Sequence, residues 1–302
     1  IFGDQKKIEP LIKNTKQLKE ISKIVHVDDW VRADEKASKS LRRSKTTSMG
    51  LAIASVAKGE ANAVVSAGNS GALLAMSIFG LRKLSGISRP ALAAVMPTIS
   101  GEVVALDLGA NIDCSSQNLI DFSVMGIVFA QNVLGRPKPR VAFLNVGEED
   151  TKGSNMIHEA ASVMENSHFS SFYKGYVEGD KIISGDYDVV VCDGFSGNVM
   201  LKTAEGTAKL CATYLKQVFE SSILGKISYA IGRSSFLSIR KKMDPRKHNG
   251  AVLLGLNGIV VKSHGGTDSI GFAHAVDLAT EMSVGNYNEL IKNELDKIKT
   301  NS

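Results

Sequence analysis

Short runs rich in valine, isoleucine and alanine alternate along the chain with longer stretches in which apolar residues recur every three or four positions. The first pattern reads as strand and the second as helix, because side chains alternate faces in a strand and return to one face after about 3.6 residues in a helix. Residues 9–23 are therefore expected to be helical, with Leu11, Ile12, Leu18 and Ile21 on one side, and 24–27 a strand. Residues 34–58 read as one long helix ended by Gly59, a residue suited to the left-handed turn at a helix end. The pattern then predicts strands at 63–66, 91–96, 103–108, 140–146, 188–192 and 259–263. Helices are expected at 70–84, 118–134, 152–165, 199–220 and 269–298. Strands alternating with helices predict an α/β protein, three layers with a mostly parallel sheet covered on both faces.

Length and composition narrow this only a little. The 302 residues are 43% hydrophobic and 22% charged, ordinary for a globular protein and enough for a full core. One domain over 1–302 is expected, since no internal stretch resembles a flexible linker. Cys114, Cys192 and Cys211 have neither paired nor metal-like spacing, and a count this low and odd suits a reducing cytoplasm. The most apolar run, 122–134, is interrupted by Gln131 and Asn132 and falls short of the roughly 18 residues that would span a bilayer. The opening Ile1-Phe2-Gly3-Asp4 reads as the tail of a strand, so a segment upstream is expected.

The candidate chemistry lies where strands end. Five hydrophobic runs lead straight into glycine and small polar residues: VVSAGNSGA (64–72), LDLGANID (106–113), LNVGEED (144–150), VCDGFSGN (191–198) and KSHGGTD (262–268). Ligands of open α/β sheets bind beyond the carboxyl ends of strands, so the repetition predicts a composite active site. Two of the loops echo each other as G-x-S-G, Gly68-Asn69-Ser70-Gly71 and Gly194-Phe195-Ser196-Gly197, each leading into a helix. A helix start with glycine can hold an anion on its backbone N–H groups, or be an ordinary capped end. No dinucleotide fingerprint, P-loop, nucleophile elbow or zinc-helix motif is present. Asp107, Asp113, Glu148, Glu149 and Asp150 are read as loop-orienting carboxylates in preference to Mg²⁺ ligands. Lys202, one helical turn after Asn198, and His264, before a glycine pair, are the candidate cations.

The net charge of +5 is concentrated in one segment. Residues 223–248 carry seven basic residues, among them Lys226, Arg233, Arg240, Lys241 and Lys242, against Asp244 alone, interleaved with Ile223, Leu224, Ile227, Phe236 and Leu237. A basic, amphipathic helical hairpin is expected there, suited to an anionic membrane surface, an acidic protein partner or a subunit contact. Nucleic acid is not expected, because the charge is local and stacking aromatics are few.

Together, SAGNSGALL, RPALAAVMPT, LDLGANID, VAFLNVGEEDTKG, VVVCDGFSGNVMLKTAEG and KSHGGTD resemble the bacterial phosphate acyltransferases of phospholipid synthesis (the PlsX family). The resemblance runs from Ile1 to about Ser283. It implies a fold like that of isocitrate and isopropylmalate dehydrogenases, with a protruding helical hairpin. It also implies transfer of a fatty acyl group from acyl carrier protein to inorganic phosphate without a cofactor, by a homodimer at the inner face of the membrane. The product would pass to a membrane glycerol-3-phosphate acyltransferase. The family's opening strand and D-A-M-G-G-D-H-A-P loop have no counterpart here, and its proline after the acidic pair is replaced by Lys36 after Asp34-Glu35.

Simple chemistry agrees with the resemblance. Phosphate is partly a dianion at neutral pH, and a thiolate is a good leaving group, with a thiol pKa of about 8.5. Positioning and donors to the developing oxyanion then suffice, with no catalytic triad. Lys202 and His264 are expected to stabilise charge, with Asp193 fixing Lys202 or its loop. Asn69, Ser70, Asn198 and the glycines Gly68, Gly71, Gly194 and Gly197, with Ser196, are expected at phosphate. Asp107, Asn111, Asp113 and Asn145 are expected to shape the crevice, with no metal held. The alternatives are a metal- and NAD-dependent dehydrogenase of the same fold using Asp107 and Asp113, and a non-catalytic lipid- or carrier-binding protein.

Overall fold

The computed structural model describes residues 1–300 apart from Met243 and Asn286, and without the side chains of 239–242, 245 and 297–300. The expected contacts of Arg240, Lys241 and Lys242 therefore lie outside the described residues.

The amino-terminal third comprises β1 (Phe2–Gly3), α1 (Gln5–Ile12), α2 (Lys16–Ile21), β2 (Val25–His26), α3 (Ala37–Arg42), α4 (Ser48–Ala57), β3 (Ala63–Ser66) and α5 (Ser70–Leu81). Then come β4 (Ala91–Pro97), β5 (Glu102–Leu106), α6 (Ser116–Asn132), β6 (Val141–Leu144), α7 (Asn155–Glu165), β7 (Tyr173–Val177) and β8 (Val189–Val191). The rest is α8 (Gly194–Glu220), α9 (Ile223–Ile231), α10 (Arg233–Lys242), a 3-10 turn at Pro245–His248, β9 (Ala251–Leu254), β10 (Ile259–Lys262), α11 (Ser269–Val284) and α12 (Tyr287–Thr300).

Three long helices of the sequence reading are each broken in two. The 9–23 segment divides at Lys13–Thr15. The 34–58 segment divides where Thr47 caps α4, its side chain accepting from Gly50 N–H, and where Gly50 lies so near the Ser44 carbonyl that a Cβ would stand 1.9 Å from its oxygen. The 269–298 segment divides at Gly285. Periodicity survives a one-turn break, so capping residues and close approaches decide these boundaries. Strands β7 and β9 are additional: β7 (YKGYV) interrupts its aromatic pattern with Lys174 and Gly175, and β9 (AVLL) is a four-residue apolar run without alternation.

Eight strands form one mixed sheet in the order β3-β10-β9-β4-β5-β8-β6-β7, while β1 and β2 pair separately. The pairs β3–β10, β5–β8, β8–β6 and β6–β7 are parallel, and β10–β9, β9–β4 and β4–β5 are antiparallel. Three reversals separate β5 from β10, so the β3–β10 pair runs opposite to β5, β8, β6 and β7.

Alternation along the strands sorts their side chains onto two faces. Val104, Leu106, Val189, Val191, Val252 and Val261 face α6, α7, α11 and α12 in the largest core. The apolar run that came nearest to a membrane span belongs to α6, buried on every side from Asn118 to Ala130, which explains its composition. On the opposite face Val64, Val260 and Leu253 pack under α4 and α5. Further across that face, Met96, Val103, Ala105 and Val190 pack under Met200 and Leu201 of α8. Helices thus cover both faces, with two separate groups on the second.

Candidate active site

The parallel strands β5, β8 and β6 bring the loops 107–113, 193–198 and 145–153 to one end of the sheet. Asp107, fully buried, organises this end. Its Oδ1 accepts from the N–H groups of Leu92 (2.9 Å), Gly109 (3.3 Å) and Ala110 (3.0 Å). Its Oδ2 accepts from Asn111 N–H (2.7 Å) and Asn111 Nδ2 (2.9 Å). Burial raises the pKa of its carboxyl, and these donors pull against that rise. Asn111 also donates to the Pro90 carbonyl at 2.8 Å, tying the loop to the start of β4. Asp107 and Asn111 therefore hold the 107–113 loop together and tie it to β4, and their polar groups are taken up in doing so. Asp113 is exposed, with its carbonyl accepting from Arg89 at 2.9 Å. Asn145 closes the third loop, donating to the Lys152 carbonyl (2.9 Å) and accepting from Val146 N–H (2.9 Å). Gly153 has φ +101°, and a Cβ there would stand 2.2 Å from Asn145 Oδ1, so the closure requires glycine.

Asp193 caps α8: Oδ1 accepts from Ser196 N–H at 2.9 Å and Oδ2 from the Ser196 hydroxyl at 2.7 Å. It fixes its loop, whereas Lys202 pairs with Glu205 at 2.7 Å. Gly194 donates to the Asn111 carbonyl at 2.7 Å, and Cβ atoms at Gly194 and Gly197 would stand 2.4 Å from that oxygen and 2.0 Å from the Asp107 carbonyl oxygen. These two glycines let α8 approach the β5 loop. Asn198 is exposed beside Gly109, and its side chain makes no hydrogen bond among the described residues.

The other two loops leave the opposite end of the sheet, from the parallel pair β3–β10. Asn69 caps α5 through Ala72 N–H (3.0 Å), and its Nδ2 donates to the carbonyls of Arg32 (3.3 Å), Ala33 (2.9 Å) and Glu35 (2.9 Å). Asn69 is therefore committed to backbone and positions its loop. Behind it lies a cavity of about 340 Å³ lined by Asp29, Trp30, Arg32, Glu35, Lys39 and Arg43. Gly68 packs on Met49, while Ser70 and Gly71 are exposed at the helix start. His264 is exposed, and its Nδ1 accepts from Gly266 N–H at 3.0 Å. A neutral imidazole accepting through Nδ1 carries its proton on Nε2, which leaves that nitrogen as the donor.

A row of paired strand residues runs across the sheet between the two groups of loops. Lys262 ends β10 in register with Ser66 of β3 and Ala251 of β9. Ala251 pairs with Ala94, and Ala94 with Ala105. Ala251 and Ala94 are only half covered, so the gap between the α5 and α8 layers is a trough floored by small side chains. Lys202 stands close enough for its charge to act on Lys262; burial first, then that charge, lowers the Lys262 pKa. In the sequence Lys262 reads as the opening of a loop; in the structure it ends an otherwise apolar strand. Among the described residues, no group of three or more His, Cys, Asp or Glu is placed to hold a metal ion.

Comparisons with known proteins agree with this architecture. A family described as "Fatty acid synthesis protein" matches residues 1–290. The phosphate acyltransferase of Paramagnetospirillum magneticum is 50% identical over 299 residues, covering 99% of this chain and 85% of its own length. That of Rhodospirillum centenum is 49% identical, covering 98% and 84%. Among solved structures, a phosphotransacetylase from Streptococcus pyogenes superposes with a TM-score of 0.60 at 17% identity, covering 94% of this chain and 85% of that one. At that identity the likeness establishes the fold alone. Relatives near half identity over nearly the whole length establish more: the chain belongs to the phosphate acyltransferase family.

Proposed function

We propose that this protein transfers a fatty acyl group from a thioester, acyl-[acyl carrier protein], to inorganic phosphate, making acyl phosphate for phospholipid synthesis. The observation that carries this reading is the near-complete match to phosphate acyltransferases. The chemistry of the site supports it. A phosphate oxygen attacks the thioester carbonyl, the C–S bond breaks as the new C–O bond persists, and the carrier leaves as its thiolate. Lys202 and His264 Nε2 supply positive charge and a donor to the tetrahedral oxyanion, and Asn198, with its unused amide, orients the phosphate.

Attack is direct. Burial pushes the Cys192 thiol well up and the Cys114 thiol up to about 11, so neither is a thiolate at neutral pH. The Ser196 hydroxyl donates a hydrogen bond to Asp193, a capping carboxylate, and among the described residues no histidine is paired with it to act as base. The reading extends to a homodimer with the layer arrangement of the isocitrate and isopropylmalate dehydrogenases. It includes a helical hairpin at 223–248 that holds the enzyme at the anionic inner face of the membrane, where a glycerol-3-phosphate acyltransferase consumes the product. No described helix is long and apolar enough to cross a membrane.

The deciding experiment mixes purified protein with acyl-[acyl carrier protein] and phosphate and looks for acyl phosphate by hydroxamate trapping. Release of free fatty acid without trapped product would overturn the reading. Absorbance at 340 nm with hydroxy acids, NAD and Mg²⁺ tests the dehydrogenase alternative.

A further inference from the structure

We propose that Lys262 is a second phosphate-binding cation, facing Lys202 across the alanine-floored trough and holding the phosphate that attacks the thioester. This rests on the acyltransferase reading for the identity of the anion, and on geometry for the site.

Strand alternation fixes where Lys262 stands. Val261 enters the core beneath α11 and Val260 the core beneath α5, so Lys262 shares the face of Val260. Parallel pairing sets it beside Ser66, which by the same alternation shares the face of Val64. Its ammonium donates to the Ser263 carbonyl and is half-buried. An ammonium has three donors, so two remain for a ligand. Ser66 Oγ accepts from Gly68 N–H at 3.2 Å, and among the described residues its own proton has no acceptor.

The charges around it give the second part of the argument. No described carboxylate makes an ion pair with Lys262, whereas Lys202, on helix α8, bears on it. A cation held part-way out of water against another cation is at its least stable when empty, and both burial and repulsion lower the affinity of Lys262 for its proton. A dianion between them removes the repulsion and restores a counter-charge. Ala251 and Ala94 leave room for such a ligand on the floor between the two lysines. A fixed ammonium on a strand end is a better anchor than a side chain on an exposed helix, so Lys262 binds and Lys202 follows the charge onto the carbonyl oxygen.

The test uses the full chain. Lys262→Met keeps the apolar stem and removes the charge. It should raise KM for phosphate on the order of tenfold to a hundredfold while leaving KM for the acyl thioester within about twofold. Lys262→Arg should recover most of the phosphate affinity, and Lys174→Ala, on a distant strand, should match the wild type. A wild-type phosphate KM in Lys262→Met overturns the proposal. A measurement that needs no variant is amine labelling of the wild-type protein, read by peptide mass spectrometry. Inorganic phosphate should slow modification of Lys262 and leave Lys174 unchanged; no protection of Lys262 overturns the proposal. Should the protein make no acyl phosphate yet show this protection, the anion site stands and the assigned reaction falls.

Discussion

At the scale of single residues, the site divides into groups that build it and groups with polar atoms to spare. Asp107, Asn111, Asn145, Asn69 and Asp193 spend their side chains on backbone and neighbouring side chains, whereas Asn198 and Ser70 are exposed with no side-chain hydrogen bond among the described residues, and Lys202, paired with Glu205, and His264 are exposed as well. Lys202→Ala should reduce turnover about a hundredfold, the effect of losing one preorganised contact to developing charge, with unchanged thermal stability because the side chain is largely exposed. Steady-state rates beside a melting curve check both halves. Asp188 illustrates the structural class. Burial raises its carboxyl pKa, but hydrogen bonds from the Arg140 guanidinium (2.9 Å) and backbone N–H (2.8 Å) outweigh that and hold it below the usual value of 3.8. A folded-state pKa below the unfolded one gives stability that is present above the unfolded value and lost as pH falls through the folded one. Denaturant midpoints should therefore decline below about pH 4 in the wild type, and this part of the decline should vanish in Asp188→Asn. At neutral pH that variant should be about 1–3 kcal/mol less stable, since Arg140 loses a charged partner.

At the scale of elements, α8 has two halves with different duties. Its first turns carry the cap and the glycines that dock it against the β5 loop, and its later turns extend in solvent towards α9 and α10. Phe219, Tyr229 and Phe236 gather there: Phe236 stacks on Tyr229 with ring centroids 5.6 Å apart and meets Phe219 edge-on at 4.6 Å. The sequence groups Phe236 with Leu237 as contact residues; in the structure Phe236 is half-buried against rings of two other helices, while Leu237 is exposed with Ile223, Leu224 and Ile231. The two positions should respond differently. Leu237→Glu with Ile231→Glu should abolish sedimentation with anionic vesicles and keep the helix content. Phe236→Ala should speed amide exchange across α9 and α10, aromatic pairs contributing about 0.5–1.5 kcal/mol each. Binding by the wild type is expected to weaken with salt, because each Lys or Arg near an anionic surface contributes about 1 kcal/mol. Equal sedimentation with neutral vesicles would refute the electrostatic part.

For the whole molecule, the proposed reaction passes through no covalent intermediate. Enzyme quenched with acyl donor in the absence of phosphate should keep its unmodified mass, and Cys114→Ser with Cys211→Ser should retain most activity; an acyl adduct would make Ser70 or Ser196 the nucleophile. Residue types and their order determined much of this protein. Hydrophobic periodicity specified an α/β chain, and glycine-rich strand ends marked the loops that leave the sheet, because both signals are local and repeat within a few residues. Breaks inside the long helices escaped it, since Gly50 matters only through the Ser44 carbonyl it meets in the fold. Strand direction escaped it as well. The five loops look equivalent in sequence, yet three reversals through β4 and β9 send two of them to the other end of the sheet. Lys262 and Lys202, sixty positions apart in the chain, come near enough for one charge to act on the other only because β10 lies beside β9 and α8 packs over β5. Pairing between distant strands leaves no trace in local periodicity, so tertiary structure alone decided which polar residues come near one another.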